Sequence, residues 1–91
     1  MNPTEIKDIL YKWHFYKAAA DNLGDNSALP QKINLIERMV DELDDTSRLI
    51  IKKRFFEAYG ADDVAIQMSM SRQAVHKRIA KFVKTMAYIL S

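Results

Sequence analysis

The sequence predicts an all-α fold, a compact helical domain of about five helices. Glycine and proline occur only twice each in 91 residues, and all four fall where a helix would begin or end. Between those breaks, apolar residues recur at intervals of three and four, the spacing that places them on one side of a helix. The chain is 48% hydrophobic, so residues 1–91 suffice for a single domain with one modest core, without metal or disulfide.

The elements follow in order. In "NPTEI", Asn2 suits a helix cap, Pro3 the first helical position, and Glu5 the place from which a capping-box acid reaches back. Ile6, Ile9/Leu10, Trp13, Tyr16/Lys17 and Ala20 then predict one helix from about Pro3 to Asn22, stopping at Gly24. "GDNSALP" is the longest loop signal. A second helix begins near Pro30 and carries the stripe Ile33, Ile36, Met39/Val40 and Leu43, ending at the acidic "DDTS". Asp44 or Asp45 caps a third helix, whose apolar residues Ile50, Ile51, Phe55 and Tyr59 precede Gly60, the expected stop. A short fourth helix runs from Asp62 or Asp63 to Met68. After the turn "SMS", Ser71 caps a fifth, whose Val75, Ile79, Phe82 and Met86 should face the core.

Charge is distributed unevenly. The net charge is +2, but residues 1–47 hold five Lys/Arg against nine Asp/Glu, and residues 48–91 hold nine against three. A basic half suits a polyanion, because each cation placed on a phosphate releases condensed counterions. The competing reading of the same charges is a solvated helix face. There is no cysteine, hence no disulfide framework, thiolate zinc site or cysteine nucleophile, which fits a reducing compartment. The N-terminal "MNPTEIKD" is polar, and no apolar run approaches the roughly 18 residues needed to span a bilayer. A soluble, cytoplasmic chain without cofactors is expected.

Residues 62–79, "DDVAIQMSMSRQAVHKRI", carry the functional expectation. A helix-turn-helix needs a small residue where its helices cross and apolar residues tying both to the core. Ala65 supplies the first, and Val64, Met68, Met70 and Val75 the second. The second helix would then present Ser71, Arg72, Gln73, His76 and Lys77 to the major groove, with Ala74 small enough for close approach and Lys81 further along on phosphate. Arginine bidentate to guanine and glutamine bidentate to adenine are the usual chemistry of base reading. Lys84 is a further phosphate candidate, Arg78 suits either phosphate or an internal ion pair, and Lys52, Lys53 and Arg54 either flank DNA or contact nothing. A plain solvated face and an exposed neutral His76 are the alternatives.

"LDDTSRLIIKKRFFEAYGADDVAIQMSMSRQAVHKRI" resembles the fourth conserved region of bacterial sigma factors and the small sigma-like phage transcriptional regulators of the ArpU and RinA type. Leu43, Arg48, Phe55, Glu57, Gly60, Val64, Ala65, Ser71, Val75, Arg78 and Ile79 carry the resemblance, over about half the chain. It implies a C-terminal helix-turn-helix, double-stranded DNA binding and transcription control in a bacterial cell or phage-infected host, with contact to RNA polymerase as a further option. Where that pattern has Leu-Gly at the turn, this chain has Met68-Ser69. The first 40 residues match no polymerase-binding region of a sigma factor; residues 1–43 are read as core-forming helices with a candidate protein interface, and residues 44–91 as the DNA-binding unit.

Two other function classes compete with this reading. A helical protein-interaction module, an adaptor or anti-regulator that does not read DNA, would depend on the aromatic first helix. There Trp13 and Tyr16 suit the core, while Tyr11 and Phe15 cannot all share their side and are left for a partner or a homodimer. An enzyme is disfavoured. His14 and His76 lie on different predicted helices, no glycine-rich phosphate loop exists, and Asp44, Asp45, Asp62 and Asp63 are more simply helix caps and dipole partners.

Overall fold

The computed structural model describes residues 1–24 and 26–90. Six α-helices form, and no strand occurs among the described residues. Helix α1, Pro3–Tyr11, starts as its sequence dictates, with the Asn2 side chain accepting from the Glu5 amide at 2.7 Å and Pro3 in the first turn. Glu5 itself does not reach back to the cap. Its carboxylate pairs with Lys32 of the third helix.

The expected single helix to Asn22 is broken at Lys12, whose φ of −116° and ψ of 32° leave the helical region. Helix α2, Trp13–Asp21, resumes in a new direction. The packing partners differ on the two sides of the break. Ile6, Ile9 and Leu10 face the last helix, whereas Trp13 must stack on Phe56, with ring centroids 4.4 Å apart and planes inclined 22°, and Ala20 must face the third helix.

Helix α3, Ala28–Asp41, begins two residues before Pro30, with Ser27 at its N-cap position, so the proline occupies the first turn, where its missing N–H is not needed. The loop expected over "GDNSALP" is therefore shorter, and its Asp25 lies outside the described residues. Ile33, Ile36 and Val40 are buried, with Met39 and Leu43 half-buried beside them.

Helix α4, Asp45–Ile51, is capped by Asp44, whose carboxylate accepts from the Ser47 amide at 3.2 Å. It runs on into a π-helical turn, Lys52–Phe56, closed by the Glu57 amide on the Lys52 carbonyl at 2.8 Å. This wider turn lets two adjacent rings serve the interior. Phe55 is buried, and Phe56 packs against the core through Trp13. The helix does not stop at Gly60. Ala58 takes the left-handed conformation, φ 62°, the Tyr59 amide closes onto the Lys53 carbonyl, and Gly60 becomes the extended residue preceding α5. Tyr59 thus lies outside the helix and is exposed.

Helix α5, Ala61–Gln67, and helix α6, Arg72–Ile89, complete the chain. The expected stripe Val75, Ile79, Phe82 and Met86 is buried, joined by Val83. Burying each such side chain contributes about 1.5–3 kcal/mol relative to leaving it in water. Helix α6 packs on α1, α4 and α5 at once, so it is the element around which the domain is built.

Candidate nucleic-acid interface

The turn between α5 and α6 is a helix-ending motif with both of its bonds in place. The Met70 amide donates to the Ala65 carbonyl at 2.9 Å and the Ser69 amide to the Ile66 carbonyl at 3.2 Å, the six-to-one and five-to-two pair of a Schellman ending. Such an ending needs a left-handed residue. Ser69 provides it with φ 54°, so the turn forms without the glycine that the resemblance would put there. Ala65 and Val64 are buried, and Met68 and Met70 pack against the core. Ser71 then caps α6, its hydroxyl accepting from the Ala74 amide at 3.0 Å.

The burial of Val75, Ile79, Phe82, Val83 and Met86 decides which side of α6 faces out. Counting about 100° per residue, Gln73, Lys77 and Lys84 fall within about 40° of one another on the opposite side, with Lys81 about 80° from Gln73. All four are exposed. Small Ala80 lies between them. Among the described residues Lys77, Lys81 and Lys84 have no carboxylate partner, and no acid follows Asp63 in the chain. Over its 18 residues, α6 is about 27 Å long at 1.5 Å per residue.

Arg72 and His76 sit on the flank of this strip nearest α5. The Arg72 Nε lies 3.5 Å from an Asp62 carboxylate oxygen and donates to His76 Nε2 at 3.4 Å. Local spacing makes Asp62 a helix cap or dipole partner of its own helix. Its approach to Arg72 depends on how the turn brings the starts of α5 and α6 together, a signal absent from local spacing. On the other flank runs an open groove of about 640 Å³, floored by Leu43, Met70 and Phe82, with Lys77 and Lys81 along α6.

The remaining basic residues divide clearly. Arg78 is an internal strut, reaching Asp44 at 3.2 Å and the hydroxyl of buried Ser47 at 3.0 Å. The Ser47 hydroxyl and amide, with the Arg78 guanidinium adding to them, hold the Asp44 carboxyl below its ordinary value of 3.8. Arg48 donates to the Asp41 and Leu43 carbonyls and pairs with Asp45, while Lys52 pairs with Asp41 at 3.2 Å. Arg54 lies over the Tyr11 and Phe55 rings at 5.1 and 5.2 Å. Of the three cations in that turn, only Lys53 lacks such a contact.

The aromatic first segment also divides. Trp13 is buried, and Tyr16 is half-buried with its hydroxyl donating to Asp8 at 2.5 Å. Tyr11 and Phe15 remain 53% and 69% exposed. Among the described residues no cluster of His, Asp and Glu could hold a metal ion, and no helix is long and apolar enough to cross a membrane. Comparisons with known families, with curated proteins and with solved structures found no match to this chain.

Proposed function

We propose that the chain is a sequence-specific double-stranded DNA-binding regulator of transcription, in which α5, its turn and α6 form a helix-turn-helix and α6 lies in the major groove. The observation that carries this reading is the outward strip of Gln73, Lys77, Lys81 and Lys84, exposed, free of acid and without ion-pair partners. A helix about 10–12 Å across fits a major groove about 12 Å wide. In that placement Gln73 and Arg72, in the first turn, meet base edges, while Lys77, Lys81 and Lys84 meet phosphates progressively further along.

One helix offers few base contacts, so useful specificity requires a second copy or help from RNA polymerase. A symmetric homodimer would read half-sites about 34–36 Å apart or at multiples of that spacing. The phage-type transcriptional role follows the sigma-like resemblance and belongs to the same proposal. The test is selection of bound duplexes from a random DNA library at near-physiological salt, then titration of the enriched duplex and a scrambled control. Enrichment of one motif, with positions relaxed by Gln73→Ala, is the expected result. A folded chain that enriches nothing, and whose binding to random DNA is indifferent to Lys77→Ala and Lys81→Ala, would overturn it.

A second reading is favoured by Tyr11 and Phe15, two large rings left exposed on the first two helices. A protein-interaction module would bind its partner through them and be insensitive to Arg72→Ala and Gln73→Ala.

A further inference from the structure

Arg72 sits among groups that govern what it can read. Its Nε faces the Asp62 carboxylate at 3.5 Å and donates to His76 Nε2 at 3.4 Å. That occupies the inner edge of the guanidinium. Neither contact uses the terminal edge with its two parallel Nη donors, and the Arg72 side chain remains 65% exposed. Asp62 itself stands in the first turn of α5 beside Asp63. The Asp62 carboxylate beside Arg72 makes that spot unfavourable for a phosphate, because like charges repel and the arginine's charge is already partly balanced.

We infer that Asp62 is a positioning residue for Arg72, turning it from a phosphate anchor into a reader of a G·C pair facing the N-terminal turn of α6. Guanine alone presents two adjacent acceptors, O6 and N7, in the major groove; adenine pairs an acceptor with a donor, thymine offers one acceptor and a methyl, and cytosine a donor. A two-donor edge held in fixed orientation therefore matches guanine and mismatches the other three. Without Asp62 the same arginine is free to rotate about its side chain and to settle on the nearest phosphate. Gln73, one residue later and about 100° round the helix, has no such brace and reads independently.

This inference rests on the DNA-reading proposal and deepens it, and the experiment separates the two. Bound duplexes are selected from a random library by the wild-type chain, Arg72→Ala and Asp62→Asn. Asp62 is 72% exposed, so its conversion to asparagine should leave the fold intact, which a thermal melt verifies. The wild-type motif should contain a G·C position that Arg72→Ala relaxes. Asp62→Asn should relax that same position by about three- to tenfold, leave the others unchanged, and raise affinity for random DNA because one negative charge is removed. A purely structural role would instead lower affinity evenly at all positions. Undiminished preference for guanine in Asp62→Asn, or an even loss across the motif, would overturn the positioning role alone. No motif for the wild-type chain would overturn the DNA-reading proposal beneath it.

Discussion

Ser69 holds a left-handed backbone, φ 54°, at the residue that ends α5 and turns the chain toward α6. For an L-residue that conformation costs about 1–2 kcal/mol, from the approach of Cβ to the neighbouring carbonyl, and glycine escapes it. Glycine also enlarges the unfolded ensemble, which offsets about 0.4–1 kcal/mol of the gain. The Ser69 hydroxyl is exposed and has no hydrogen-bond partner among the described residues, so no internal contact is lost with it. Ser69→Gly should therefore stabilise the chain by about 0.5–1 kcal/mol, which for a domain of this size raises Tm by about 2–8 °C. Urea melts should shift their midpoint upward without a change in slope, since the surface exposed on unfolding is the same. The matched substitution at Ala58, also left-handed with φ 62°, should behave alike. An unchanged or lowered midpoint for both would refute the claim that these turns are held left-handed against the preference of their side chains.

Three further outcomes follow from the same contacts. Ser71→Ala removes the cap of α6 and should cost about 1 kcal/mol by denaturant melt, with Ser71→Gly costing less. Arg78→Ala cuts the link to Asp44 and Ser47 and should lower stability without altering the salt dependence of DNA binding, whereas Lys84→Ala should weaken binding to cognate and random DNA alike and flatten that dependence. The Asp44 carboxyl titrates below its ordinary 3.8 in the folded chain, so its contribution is complete above that value and lost as pH falls through the lower folded one. Asp44→Asn, which still caps a helix but carries no charge, should flatten the acid limb of a stability–pH curve and lower neutral stability by the same contribution.

Much of the fold was legible because its signals are local. The Asn2 and Ser71 caps and the stripe from Val75 to Met86 each need only a few neighbouring residues to be recognised, and each forms as read. What escaped depends on residues distant in sequence. Nothing in "LYKWH" marks a helix break, yet Lys12 leaves the helical region just before Trp13, whose ring stacks on Phe56, more than 40 residues away in sequence. Gly60 reads as a helix stop, yet the π-helical turn ends at Phe56 and the chain reverses at left-handed Ala58, leaving the glycine, with an ordinary φ of −66°, to open α5. For the candidate site, exposure of Gln73, His76, Lys77 and Lys81 followed from periodicity. The division of labour among the arginines did not. Arg78 meets Asp44 across 34 positions and Arg72 meets Asp62 across a turn, and only tertiary geometry distinguishes them.

Helix α6 is fixed along its whole length. A hydrogen-bonded turn sets its start, Arg78 ties its middle to α4, and the Met1 ammonium donates to the Leu90 carbonyl at its end at 2.8 Å. A rod so clamped cannot pivot or slide to suit a partner, so any molecule that binds its outer side must match the spacing of the side chains already there. The ordering entropy of that helix has been spent in folding, and association has only the tips of a few long side chains left to immobilise. Selectivity between partners is thereby set by geometry before contact, and mutations that loosen the clamps would blur it without touching the outer side at all.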